Sequence, residues 1–401
     1  MNRLPLSRFR QVTTSVAAGA FWRMPGPFGV ARIFGPSYSL RCVVFHHISP
    51  TESPFTAGIR VSITPKKFEA ALRFLTTHYV PVRLDDILNN SGGKGLPPRA
   101  ILVTFDDAYA SIAEWAAPLC RQFGVPAVFF ANAAFLDNRR LAPDNLVCFV
   151  ANVLGMKTLN SAVNAVPGRE AVKLDSLAEV FGNFFPSISL AEREVFLDAL
   201  RHFSGIDESH MAKDANLYLT GKQLRNLSDF DFEIGNHTYT HTHCRSFMAQ
   251  DFAPEVDRNK AELEALSGAK IRSFSLPYGS SKDLTPGLTE HLRRSGHQAV
   301  FLSESVANPR MPDLYHVDRI STCAESDDTL FFEIEVLPRL RAVRDRLFRK
   351  SGRVRTGRVH SSAGRLESSP EGAFVGGVLP IRDKTDTAHR ETIGKRTENL
   401  N

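Results

Sequence analysis

The stretch AILVTFDD, residues 100–107, decides the fold. Ala100–Phe105 is an unbroken β-favouring run, as expected of a strand buried on both faces of a parallel sheet. A helix is expected from about Ala108 to Phe123, stopped by Gly124, and a second buried run follows at Ala127–Ala131. Strand, helix and strand in this order make a parallel unit, because parallel neighbours need a crossover. Asp106-Asp107 therefore falls at the carboxyl end of a buried strand, where parallel α/β sheets and barrels build their sites.

Upstream, Leu40–Phe45 is another apolar strand, ending in His46-His47. Thr64-Pro65 opens a helix, Thr as cap and Pro at the first helical position, with Phe68, Leu72 and Leu75 as its buried stripe. A short strand follows near Val80–Val82. Downstream, a strand at Phe232–Gly235 runs into the loop His237–His243, and a helix covers about Ala253–Leu266. A strand at Arg272–Leu276 runs into Pro277-Tyr278-Gly279, followed by a helix at Thr285–Ser295. Strands are expected near Ala299–Leu302 and Tyr315–Ile320, and a basic-ended helix over Thr329–Arg349. The alternation lapses from about 137 to 218. There, Ser189-Leu190-Ala191-Glu192 is a capping box, and Val195, Phe196, Leu200 and Phe203 continue an apolar face. The organisation expected is a basic arm over 1–38, an α/β domain over 39–350 with a helical insertion at about 137–218, and a disordered tail over 351–401.

The unusual polar groups cluster at three strand ends: Asp106-Asp107, His237 with His241, and Pro277-Tyr278. A carboxylate and two imidazoles suit a catalytic divalent metal with positions open for water and substrate. Such an ion lowers the pKa of bound water to about 7 and polarises a carbonyl. The second carboxylate is then free to take a proton as general base. One aspartate before a helix is commonly only a cap; two of them, paired with a distant His motif, point to a metal-assisted hydrolase. His243 and Cys244 lie beside the second cluster but outside its spacing, and Trp115 sits at a core position of its helix.

Thr104-Phe105-Asp106-Asp107-Ala108-Tyr109, followed in order by His237-Thr238-Tyr239-Thr240-His241, resembles the polysaccharide deacetylase family, the NodB-homology group of carbohydrate esterase family 4. Its first motif is TFDD followed by a small residue, and its second is H[ST]xxH. Phe274–Gly279 is similar to the third motif, RxPYG, and the resemblance spans about Arg41 to Cys323. It implies a distorted (β/α)7-type barrel and removal of N-acetyl groups from a glycan, either a polysaccharide or a lipid-linked sugar. Residue by residue it implies Asp106 as catalytic base and Asp107, His237 and His241 as ligands of a divalent metal, zinc by ligand type. It further implies the backbone N–H of Tyr109 as an oxyanion donor and Pro277 and Tyr278 as groove wall. Ser275 stands where the third motif has an arginine that orients the base. The general acid is open between His46, in a Phe45-His46-His47-Ile48 stretch similar to the YHxI element of one branch, and His316, in Leu314-Tyr315-His316.

The net charge of +6 belongs to the ends: residues 1–41 hold six arginines and no acid, and the tail is net basic, which leaves the catalytic body slightly acidic. A nucleic-acid partner is therefore not expected, whereas the N-terminal arm suits an anionic membrane surface. Five scattered cysteines without CxxC fit neither a disulfide framework nor a thiolate zinc site, and a reducing, cytoplasmic compartment is expected, with export left open. Three other functions share parts of this pattern. They are a related amidase or O-acetyl esterase, an Fe(II) oxygenase using two His and a carboxylate, and a glycan-binding protein without catalysis.

Overall fold

Strand β1, Leu40–Phe45, runs parallel to β5, Ala100–Phe105, in register along its whole length, and both are fully buried. They belong to a computed structural model that describes residues 18–20, 23–24, 26, 40–92, 95–228, 232–308, 313–322 and 324–344. The tail over 351–401 and most of the basic arm lie outside the described residues.

Next to β5 come β6 (Ala127–Ala131), β7 (Glu233–Asn236), β8 (Ser273–Ser275) and β9 (Ala299–Phe301), all parallel. On the other side of β1 lies β10, Ile320–Ser321. The segment before β10 curls the sheet into a distorted barrel. Val317 bridges Phe301 in parallel, the Arg319 N–H donates to the Leu302 carbonyl at 3.1 Å, and Ile320 pairs with Val43 of β1. Short pieces stand apart: β2 (His47–Ile48) pairs with β3 (Ser62–Ile63), and β4 (Val80–Pro81) with the start of β5.

Alternation along the strands sorts the core into two layers. Leu40, Cys42, Leu102, Val128, Phe130, Phe301 and Val317 form one cluster inside the ring. Val43, Phe45, Ile101, Val103, Phe105 and Phe129 pack outward against helices such as α1 (Pro65–His78) and α2 (Ala117–Phe123). Thr64 caps α1 by accepting from the Lys67 N–H, and Gly124 closes α2 in the left-handed conformation. Cys42, Cys120, Cys148 and Cys244 are buried free thiols. Among the described residues no helix is long and apolar enough to cross a membrane.

Between β6 and β7 the chain forms α3 (Pro143–Phe149), α4 (Met156–Val163), α5 (Leu190–Ser204) and α6 (Glu208–Ala215), then α7 (Gly221–Ser228). Helices α3 to α6 share a core of their own, including Leu146, Leu159, Phe196 and Leu200, whereas α7 buries Leu224 and Leu227 in the outer core of the sheet. The Ser189–Glu192 capping box is present. The expected face of α5 is corrected. Phe196, Leu197 and Leu200 are buried, whereas Val195 and Phe203 are 41% and 48% exposed. Val195 lies off the 193/196/197/200 stripe, and Phe203 sits in the last turn.

Two other expectations shift. The helix after Asp107 begins at Ile112, not Ala108, because Asp107 and Ala108 adopt left-handed backbone and Ala110 donates to the Leu217 carbonyl instead. The last strand does not start at Tyr315: the His316 N–H turns back to the Asp313 carbonyl, and pairing begins at Val317.

Two histidines tie this fold to pH. Burial holds His47 down to about 4 and His297 down to about 3. For His297 the cause is burial first, with the Lys260 charge adding to it, and the Asn236 amide lies 3.2 Å from its Nε2. His47 Nδ1 lies 2.9 Å from the Ser62 hydroxyl. Both rings are thus favoured neutral in the folded state. Their contribution to stability is present above the unfolded value of about 6.5 and is lost as pH falls toward the folded values. The urea midpoint at pH 4.5 is therefore expected well below that at pH 7, and His47→Gln with His297→Gln should flatten the difference. An equal fall with pH in that double variant would remove these two rings as the cause.

Candidate metal centre and active site

Asp106 and Asp107 leave the end of β5, and His237 leaves the end of β7, where its N–H donates to the Ala131 carbonyl at 3.1 Å. The loop after β7 then brings His241 back onto the same spot. Asp107 Oδ1 lies 3.5 Å from His237 Nε2 and 3.3 Å from His241 Nε2. One ligand atom from each of Asp107, His237 and His241 falls within 4.8 Å of the others.

The trio fits a divalent ion. Asp107 Oδ1 is buried and receives no hydrogen bond, an arrangement that is costly without a cation. His237 Nδ1 sits 2.9 Å from the Ser275 carbonyl, which fixes the proton there and leaves the Nε2 lone pair facing Asp107. His241 Nδ1 pairs with the Asp144 carboxylate, to the same effect. Two imidazoles and one carboxylate are the donor set of many catalytic metal sites.

Asp106 stands beside the trio, its Oδ2 3.7 Å from His237 Nε2 and 4.0 Å from His46 Nε2. Ser275 does stand in the place of the third-motif arginine, and a guanidinium reaches Asp106 from another part of the chain. Arg319, fully buried, donates from Nη1 to Asp106 Oδ1 and from Nη2 to Oδ2, both at 2.7 Å. The same Nη2 donates to the Ser275 hydroxyl at 2.6 Å. Ser275 thus occupies the third-motif position while a guanidinium arrives from the closing strand. Burial pushes the Asp106 carboxyl up, but the Arg319, His237 and His46 charges outweigh it and hold it below the usual carboxylate range. A signal for Arg319 was present in the chain: a charged residue inside the β-favouring run Val317–Ile320 needs a buried partner.

His46 follows β1 and lines the same cavity, together with Asp106, Asp107, Tyr109, His237, His241 and Tyr278. Burial lowers its pKa, and the nearby Asp107 and Asp106 carboxylates offset part of that. His316 does not come to this cavity. Its ring is half exposed, with Nδ1 3.0 Å from Asp313. His243 is also elsewhere: Nδ1 pairs with buried Asp283 at 2.9 Å, and the ring stacks on Tyr278 at 3.7 Å. Cys244 is a buried thiol, and Trp115 packs half-buried against the outer core.

Tyr109 bridges Tyr218 through the flanking bonds of Ala110 and Leu219, which leaves its own amide outside the bridge. Pro277 opens the turn after β8, and the Tyr278 hydroxyl donates to Asp144 Oδ1 at 2.7 Å. Gly279 is required there: at φ 67° a Cβ would lie 2.4 Å from that of Ser303. Asp107, Ala108, Thr238, His241 and Tyr278 all have positive φ without being glycine, so the site is built on strained backbone.

Three asparagines that sequence reasoning missed hold the His237 loop. Asn132 Nδ2 donates to the Thr238 carbonyl at 2.8 Å, and Asn236 Oδ1 accepts from Thr238 N–H at 3.0 Å. Asn259 Nδ2 donates to Asn236 Oδ1 at 2.7 Å and to the Ala131 carbonyl at 2.8 Å. Each is buried, so the Thr238 amide and carbonyl of the loop are satisfied within the protein.

No curated protein matches the chain. Among solved structures, it is similar to the Streptococcus pyogenes deacetylase PplD in complex with acetate, at 13% identity, covering 74% of this chain and 98% of that one, with a TM-score of 0.49. IcaB from Ammonifex degensii is 18% identical over 76% of this chain and 98% of its own, with a TM-score of 0.45. A de-N-acetylase from Aggregatibacter actinomycetemcomitans is 16% identical over 72% and 96%, with a TM-score of 0.46. A family model described as polysaccharide deacetylase matches residues 185–300, the stretch that carries the His237–His241 and Pro277–Gly279 motifs. That match bears out the resemblance drawn from the motifs: the chain is similar to the polysaccharide deacetylases.

Proposed function

We propose that the chain is a metal-dependent hydrolase that removes N-acetyl groups from a glycan, a polysaccharide or a lipid-linked sugar. The observation that carries this is the carboxylate of Asp106, held ionised by Arg319 and placed 3.7 Å from a ring of the Asp107, His237 and His241 trio. The ion proposed is zinc, from the donor types, and when bound it acidifies water and polarises a carbonyl.

The residues then divide the work. Asp106 takes the proton of the attacking water, a task suited to a carboxylate kept ionised. His46, whose Nε2 lies 4.0 Å from Asp106 Oδ2, gives a proton to the leaving nitrogen. The Tyr109 amide meets the oxygen on which charge develops, as a fixed dipole. Tyr278 walls a cavity of about 410 Å³ together with Leu276 and Gly279 of the same turn, while Pro277 between them does not line it. Leu177, Ala178 and Phe181, from the segment between β6 and β7, line the same cavity and help keep water out.

The test uses the zinc-loaded chain with N-acetylated oligosaccharides, lipid-linked N-acetyl sugars and O-acetyl esters side by side. Acetate release from an N-acetyl substrate is expected. Release from O-acetyl esters alone would make the chain an esterase, and glycan binding without any release would make it a binding protein. A cytoplasmic location, with the basic arm touching an anionic membrane surface, is proposed from composition alone.

A further inference from the structure

We infer that Asp144, in the helical segment between β6 and β7, is a positioning residue of the metal centre, so that this segment is a working part of the site. The inference rests on the metal-centre reading above and adds a residue outside every motif of the sequence.

Asp144 lies in the first turn of α3 and is 8% exposed. Its two oxygens serve two different groups of the site. Oδ2 meets Nδ1 of His241, and Oδ1 accepts from the Tyr278 hydroxyl at 2.7 Å. His241 Nδ1 makes no hydrogen bond outside this ion pair. A neutral imidazole presents a lone pair on one nitrogen only when the other carries the proton. A carboxylate on Nδ1 therefore fixes the tautomer and points the Nε2 lone pair at Asp107 Oδ1, 3.3 Å away. His237 is fixed by a backbone carbonyl, that of Ser275, so the two rings have acceptors of different charge. Only the one on His241 can be removed by a side-chain substitution.

The helix that carries Asp144 is itself locked to the loop that carries Asp107. The neighbouring Asn145 donates from Nδ2 to the Phe55 carbonyl and the Tyr109 hydroxyl, both at 2.9 Å, and its Oδ1 accepts from the Tyr218 hydroxyl at 2.6 Å. The Tyr218 hydroxyl in turn accepts from the Ala142 N–H at 2.7 Å. Tyr109 and Tyr218 stack with ring centroids 6.0 Å apart. Asp144 is thus held between β7, β8 and the Asp106-Asp107 loop by groups that are buried, Tyr278 alone being half-buried, which is the arrangement a ligand-orienting carboxylate needs.

The experiment measures zinc affinity of the full chain by competition with a chromophoric chelator, together with the visible spectrum of the cobalt(II)-substituted protein. Asp144→Asn keeps the shape of the side chain and removes its charge. It is expected to weaken zinc binding about 10–100-fold and to change the cobalt spectrum, with the far-ultraviolet circular dichroism of the metal-free form unaltered. Asn152→Ala is the control. It sits in the same segment and donates only to the Pro54 and Ala57 carbonyls, so its affinity should stay within about twofold. Hydrogen exchange on the unsubstituted chain gives a second readout that needs no variant: zinc should protect the amides of residues 144–149. Unchanged affinity and spectrum in Asp144→Asn, or no protection of those amides, would overturn the inference. A parent chain that binds neither zinc nor cobalt would instead bring down the metal-centre reading itself.

Discussion

Asp106→Asn is expected to lower turnover by about 10²- to 10⁴-fold while leaving metal affinity close to that of the parent, because a general base contributes that much and is not a ligand. The asparagine can still accept a hydrogen bond from Arg319, so the side chain should stay in place and the loss should fall on the chemical step. Single-turnover deacetylation and chelator competition on the same preparation separate the two effects. Turnover within tenfold of the parent would remove Asp106 from the role of base. Loss of metal along with activity would instead place Asp106 among the ligands.

The second large effect is expected at Arg319. Arg319→Met leaves the Asp106 carboxylate buried, 4% exposed, without its bidentate partner. Removing one member of a buried pair costs about 3–5 kcal/mol, which should appear as a lower urea midpoint. With the guanidinium gone, burial continues to push the Asp106 carboxyl up against weaker opposition from His237 and His46. The acid limb of kcat/KM, which reports the base losing its proton, should therefore move to higher pH. Arg319→Lys keeps a charge but not the two-pronged geometry, and its defect should be intermediate. The double variant with Asp106→Asn should recover part of the lost stability, since no unpaired charge then remains. A pH profile that does not move in Arg319→Met would show that the arginine serves the barrel alone.

Those two residues mark where sequence reasoning reached and where it stopped. Strands β1, β5 and β6 have the bounds that their apolar runs suggested, because a strand buried on both faces writes itself as an unbroken local pattern. Asp106, Asp107, His237 and His241 were legible for a similar reason, since their spacing is local and their residue types are rare at the ends of buried strands. Arg319 was legible only by half: its charge in a strand called for a buried partner, but that partner is a carboxylate 213 residues away, and the eye is drawn instead to the arginine missing at Ser275. Asp144 was hidden differently. An aspartate in the first turn of a helix has an ordinary explanation in the helix dipole, and only the ring of His241 beside it gives it another. The left-handed backbone at Asp107 and Ala108 was also out of reach, because it is imposed by pairing with Leu217 and Leu219 and by no residue of its own.

The strand that curls the sheet has a kinetic consequence. A chain ending before Val317 carries every motif and all three members of the trio, yet it lacks the segment that bonds β9 to β1. During synthesis, the Asp106 carboxylate has no guanidinium to meet until residue 319 has been made, and that contact spans 213 residues. Contacts so far apart in sequence are slow to form, because the loop they close costs entropy before anything is gained. Circularisation of the sheet and pairing of the Asp106 carboxylate with its guanidinium are then expected together and late, and a chain truncated before Val317 is expected to lack both however complete its motifs look.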